Sequence, residues 1–144
     1  MSMTRPSAAQ LETARALLAL EHGDQDAVEA ATSVYRKLFS RLSKVLGMVG
    51  VRAVFTRAAK LEGEEIPCLL ELSRRQIGPD GVELVECLRA GSEVAIGESA
   101  AAFYARVLSL LGVFIGDHLT MNILRDIWPQ WTAGGTTAER EKTK

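Results

Sequence analysis

Two cysteines and two histidines are all that 144 residues contain of the side chains most used by metals and nucleophilic enzymes, and the shortage excludes much chemistry. A metal centre needs several ligands at spacings that converge on one point. The densest grouping is Glu21, His22, Asp24 and Asp26. There the histidine suits a helix C-terminus and the acids suit the start of the next helix, so no metal is expected. His118 follows Asp117 at the predicted start of a helix, without an adjacent nucleophile or orienting partner to make it a general base. Cys68 and Cys87 do not form a C-x-x-C pair, and a core of this size needs no staple. They read as reduced thiols packed among Leu, Val and Ile as small hydrophobes, which makes the cytoplasm the expected compartment.

Other absences narrow the field further. There is no G-x-S-x-G, no Walker A lysine loop and no G-x-G-x-x-G, so neither acyl transfer nor nucleotide binding has motif support, and the chain is not expected to be an enzyme. The longest apolar run without charge, Val107 to Gly116, falls short of the roughly 20 residues that span a bilayer. No membrane role is expected. Met1 to Gln10 has no apolar run suited to a secretory signal. Aromatic residues make up 6% of the chain, and none is interleaved with the basic residues as base stacking would require. With a pI near 6.1, this argues against nucleic acid as a partner.

What is present is helical periodicity. Ser7 with Gln10 three residues on predicts a capped start for a helix over Ala8–His22, with Gly23 ending it. Asp26 with Glu29 predicts another start. Ala31, Tyr35, Leu38, Leu42, Val45 and Val49 then recur at steps of four and three. Gly47 and Gly50 interrupt that seam, and a turn or kink is expected there, with a further helix over Val51–Leu61. Residues 64–97 are less clear. Pro67 suits the first turn of a short helix over Ile66–Arg75, and Asp80 with Glu83 could cap another over Val82–Ala90. A hairpin around Asp80-Gly81 stands as the alternative.

From Ser99 to Ile115 apolar residues cover more than half the helix circumference, leaving a thin stripe at Ala102, Arg106 and Ser109. Such a helix belongs at the centre of a fold. Asp117 is expected to cap the last helix, which Pro129 stops. The reading is an all-α bundle of about five to six helices around a central helix at 99–115. It forms one domain over 5–131, and the polar segment 132–144 reads as a disordered tail.

Charge is distributed unevenly. Residues 30–61 hold Arg36, Lys37, Arg41, Lys44, Arg52, Arg57 and Lys60 and no acid, whereas residues 62–98 hold nine acids against three arginines. Lys37, Arg41 and Lys44 share one helix edge, open either to a partner or to the acidic half of the same fold. Trp128 and Trp131 flank Pro129, where they either anchor an interface or seal the end of the bundle. The function expected from these features is a non-catalytic protein-interaction or regulatory module with a protein partner, itself included. Its candidate surface is Arg36, Lys37, Arg41, Lys44, Trp128 and Trp131. The alternative is a small-molecule or haem sensor with a pocket lined by Phe103, Tyr104, Phe114 and Met121.

Overall fold

The capping signals at Ser7 and Asp26 come out as written, whereas Gly81 and Gly116 take the cap positions expected of Asp80 and Asp117. In the computed structural model, which describes residues 6–75 and 77–131, the first helix, α1, spans Ala8–His22. Ser7 Oγ accepts the Gln10 N–H at 3.1 Å while Gln10 Oε1 accepts the Ser7 N–H at 2.9 Å. Two donors that helix geometry leaves unpaired are thus satisfied reciprocally. The second helix, α2, spans Ala27–Glu62. Its start is held from two sides, because Asp26 Oδ1 accepts the Glu29 N–H at 2.9 Å and Glu93, far along the chain, accepts the Ala27 N–H at 2.7 Å.

Gly47 divides α2 into two arms, 27–46 and 48–62. Its φ of 83° and ψ of 163° lie in a region that only glycine occupies at low cost. The arms fold back on each other: the Tyr35 and Phe55 ring centroids are 5.1 Å apart, whereas a straight helix would separate those positions by about 30 Å. The interruption expected at Gly47 and Gly50 is therefore a full reversal at Gly47. It also ends the predicted seam, since Ala31, Tyr35, Leu38 and Leu42 are buried while Val45 and Val49 are exposed.

Residues 64–97 fold as two short helices, and the hairpin alternative is not realised: no strand occurs among the described residues. The helix α3 spans Pro67–Ser73 with proline in its first turn, and α4 spans Val82–Leu88. Asp80 accepts the Val82 N–H at 3.2 Å, and Glu83 reaches back to the Gly78 N–H. The larger correction concerns the cysteines. Cys68 and Cys87 are not free thiols but form a disulfide joining α3 to α4, with their Cα atoms 5.4 Å apart. Nothing in a separation of 19 residues announces this pairing. It follows from the two short helices lying side by side, the start of α3 beside the end of α4. A structural disulfide also removes the premise on which a reducing compartment was expected.

The central helix, α5, spans Glu93–Ile115 and begins six residues earlier than the apolar pattern indicates, because Ser92 Oγ caps it on the Ala95 N–H at 3.1 Å. By length and composition α5 could cross a membrane, yet 61% of its most apolar window is buried inside the fold. The stripe at Arg106 and Ser109 is buried too. The last helix, α6, spans Asp117–Ile127 after a reversal at Gly116, the residue that occupies the capping position expected of Asp117.

Side-chain contacts fix the packing directions. Arg15 approaches Glu98 at 3.8 Å and His22 approaches Glu93 at 3.7 Å, so α1 runs antiparallel to α5. The bond from Ala27 to Glu93, together with the aromatic contact linking Phe39, Phe55 and Phe103, makes the first arm of α2 run alongside α5 in the same direction. Five rings, Tyr35, Phe39, Phe55, Phe103 and Tyr104, form a continuous chain across both arms of α2 and α5. Edge-on contacts such as these add to the area they bury. The described residues form an all-α bundle built around this cluster. The expected tail at 132–144 lies outside them.

Candidate interaction surface

The basic residues of the first arm of α2 are engaged by the fold. Arg36 Nε donates to the Asp80 carbonyl at 3.1 Å, Lys37 pairs with Glu21, and Arg41 meets Asp126 at 2.5 Å. Lys44 is exposed and forms no ion pair among the described residues. Together these four side chains line a shallow cleft of about 410 Å³ against Ile127. Lys37 and Arg41 meet acids on α1 and α6, whereas Arg36 bonds the backbone carbonyl of Asp80 before α4, so this basic edge is engaged from three sides of the fold.

Trp128 and Trp131 are buried, and Trp128 Nε1 donates to Glu21 Oε2 at 2.7 Å. The tryptophans therefore close the bundle and offer no face to a partner as folded. Glu21, which sequence reasoning grouped with His22, Asp24 and Asp26, instead gathers Lys37 and Trp128 onto one carboxylate. This belt ties α1, the first arm of α2 and the end of α6 together. Asp26 has its own task as a cap, and no cluster of three or more metal-binding side chains occurs among the described residues.

A second ionic joint was not legible. Arg106 Nε donates to Glu62 Oε2 at 2.7 Å, and both side chains are 9% exposed. They floor a cleft of about 240 Å³ between the start of α1 and the end of α2, rimmed by Glu64 and Glu65. An ion pair this deep holds helices in register more than it adds net stability, since each charge loses its hydration. The side chains proposed to line a sensor pocket do not gather. Phe103 and Tyr104 are core, whereas Phe114 lies roughly 16 Å further along α5 and is exposed.

The exposed apolar residues have a pattern of their own. Gly47 and Gly116 turn with nearly the same backbone, φ and ψ of 83° and 163° against 89° and 154°. Because the first arm of α2 and α5 start together and run in parallel for similar lengths, both reversals fall at one end of the bundle. Val45, Met48 and Val49 surround the first, and Val113, Phe114 and Leu119 surround the second, all six exposed. Val49 is 82% and Phe114 59% accessible. Of the eight aromatic residues, Phe114 is the one that stays out of the interior. This crown was hidden in the sequence because Val45 and Val49 fit the heptad-like seam and Phe114 fits the central helix. Only the positive-φ reversals take them out of the core.

His118 stands exposed beside the crown in the first turn of α6. Tyr35 and Tyr104 are the most perturbed titratable groups. Burial raises both above the ordinary phenol value, helped at Tyr35 by the carboxylates of Glu83 and Asp80. Each hydroxyl donates to a backbone carbonyl, Tyr35 to Gly78 at 2.7 Å and Tyr104 to Ala31 at 2.6 Å. These phenols are structural donors. No protein-family profile, curated protein or solved structure matches the chain.

Proposed function

We propose that this protein is a non-catalytic interaction module that self-associates through its crown. The observation that carries the reading is the crown itself. Single exposed Val or Leu residues are ordinary on protein surfaces, but six of the nine exposed large apolar side chains among the described residues, the sole exposed aromatic included, flank the two reversals, and we read them as a contact surface. Lys44, exposed next to Val45, supplies charge at its edge. The remaining cations of the original candidate surface then act inside the fold, Lys37 and Arg41 fastening α1 and α6 to α2.

Light scattering coupled to size exclusion over a concentration series tests the proposal. The wild-type chain is expected to show a mass above that of a single chain, and the double variant Val49→Asp/Phe114→Asp is expected to run as a folded monomer. A wild-type protein that remains monomeric at high concentration would remove self-association. A variant that associates as the wild type does would remove the crown.

A further inference from the structure

We propose that α4 is a redox-latched flap: the Cys68–Cys87 disulfide pins its C-terminal end to α3, and reduction by a small dithiol lets that end lift from α3 within the reach of the four residues that join it to α5. The inference is independent of the crown and rests on how differently the two ends of α4 are held.

Before α4, three side chains of α2 grip the backbone. Tyr35 Oη donates to the Gly78 carbonyl at 2.7 Å, Arg52 Nε to the Ile77 carbonyl at 2.9 Å and Arg36 Nε to the Asp80 carbonyl at 3.1 Å. These bonds need neither cysteine and make a fixed pivot. At the far end α4 is held by the covalent bond from Cys87 to Cys68 and by the four residues that join it to α5, which Ser92 caps. Both α3 and α4 are seven residues long, too short to hold themselves in water without packing. Leu84 and Leu88 provide that packing for α4. Swinging about 77–81 moves Leu88 more than Leu84, so opening is uphill and the flap closes again by itself. The ion pair between Arg75 and Glu86 is exposed and adds little to the latch.

The position of α4 matters because it is the shared wall of two clefts. Against α2 it borders a groove of about 710 Å³ with Val82, Val85, Glu86 and Arg89. On its other side a cleft of about 250 Å³ is lined by both cysteines, Leu88 and Ile96. Both cysteines are partly buried and line that cleft, the side from which a thiol would approach them. The exchange is balanced. A thiolate of the dithiol attacks one cysteine sulfur, the bond between Cys68 and Cys87 breaks, and the other cysteine leaves as a thiolate. The second thiol of the reductant then closes its own cyclic disulfide. Two electrons and two protons pass to the protein, leaving two cysteine thiols.

Hydrogen exchange read by mass spectrometry on the full chain, with and without dithiothreitol, tests the latch. Closing a loop of this size suppresses opening by about 100-fold. Amides of 82–91 are therefore expected to exchange about 100-fold faster after reduction, with α1, both arms of α2 and α5 unchanged, and reoxidation should restore the slow rates. The Cys68→Ser/Cys87→Ser variant should show the reduced pattern without reductant. If that variant does not fold, the reversibly reduced wild-type chain gives the same reading. Unchanged rates over 82–91 in protein shown by thiol titration to be reduced would overturn the proposal. So would acceleration spread evenly over every helix, or free thiols in protein purified without reductant.

Discussion

Val49 and Phe114 stand in solvent at the crown, while further down the bundle Trp128 and Trp131 are buried and Glu21 holds both an indole N–H and a lysine. Both regions combine large apolar side chains with cations of the first arm of α2. They differ in what the rest of the chain places opposite them. At the belt, α1 and the end of α6 bring carboxylates and buried indole rings to α2, and Lys37 and Arg41 are paired there. At the crown the chain has turned back twice, and no helix among the described residues covers the turns. Residue type alone does not make a surface; the number of helices passing over it does.

The two regions should respond differently to perturbation. The largest effect should come from alkali, which attacks the body and spares the crown. Tyr35 and Tyr104 are the only tyrosines, and burial raises both above the ordinary value. A raised folded value means the unfolded chain loses these protons first. Their contribution is thus complete below about pH 10 and declines as pH rises above it. Tyrosinate absorbance should appear together with loss of helical circular dichroism; phenols ionising in a still-folded chain would contradict the buried assignment.

Next in size is Trp128→Ala, which empties a fully buried site and leaves Glu21 short of a donor. We expect a loss of about 3–5 kcal/mol in denaturant unfolding. Glu62→Ala should also destabilise, because it removes the carboxylate that Arg106 Nε meets at a site 9% exposed. Replacing Glu62 and Arg106 together with apolar residues should recover much of that loss, and a double variant as unstable as the single would show that the pair is worth more than its packing.

Smaller effects are expected at the turns that create the crown. A Cβ at Gly47 or Gly116 would meet no atom within 4 Å, so the cost of alanine there is purely conformational, about 1–3 kcal/mol at each. Chemical unfolding of the two single variants measures it. The smallest change in stability, within about 0.5 kcal/mol, is expected for Val49→Asp/Phe114→Asp, although it should abolish association. A large destabilisation there would mean that these side chains are packed and that the crown is not a free surface.

Much of the architecture was legible because helix signals are local. The Ser7 and Gln10 box, the Asp26 cap and Pro67 at the start of α3 are found where the sequence predicts them. The candidate surface was less legible. Lys37 and Trp128 were singled out for partners, but both answer to Glu21, which lies 16 residues from one and 107 from the other. Arg106 belonged to a thin polar stripe on an apolar helix, and its meeting with Glu62, 44 residues away, could not be read from that stripe. Spacing within a helix says which residues share a face, but is silent on what that face meets.

By itself, then, the sequence determined that the chain is helical, where most helices begin, and that α5 is apolar enough to be central. Hydrogen bonds within a turn and the 3.6-residue period of side chains act over a few residues and can be read there. Tertiary structure alone decided that Gly47 is a reversal, that two cysteines meet across α3 and α4, and that Lys37 and Arg41 find acids on α1 and α6 while six apolar side chains remain exposed at the crown. Those outcomes depend on contacts between residues distant in the chain, and no local pattern encodes which distant segment will arrive.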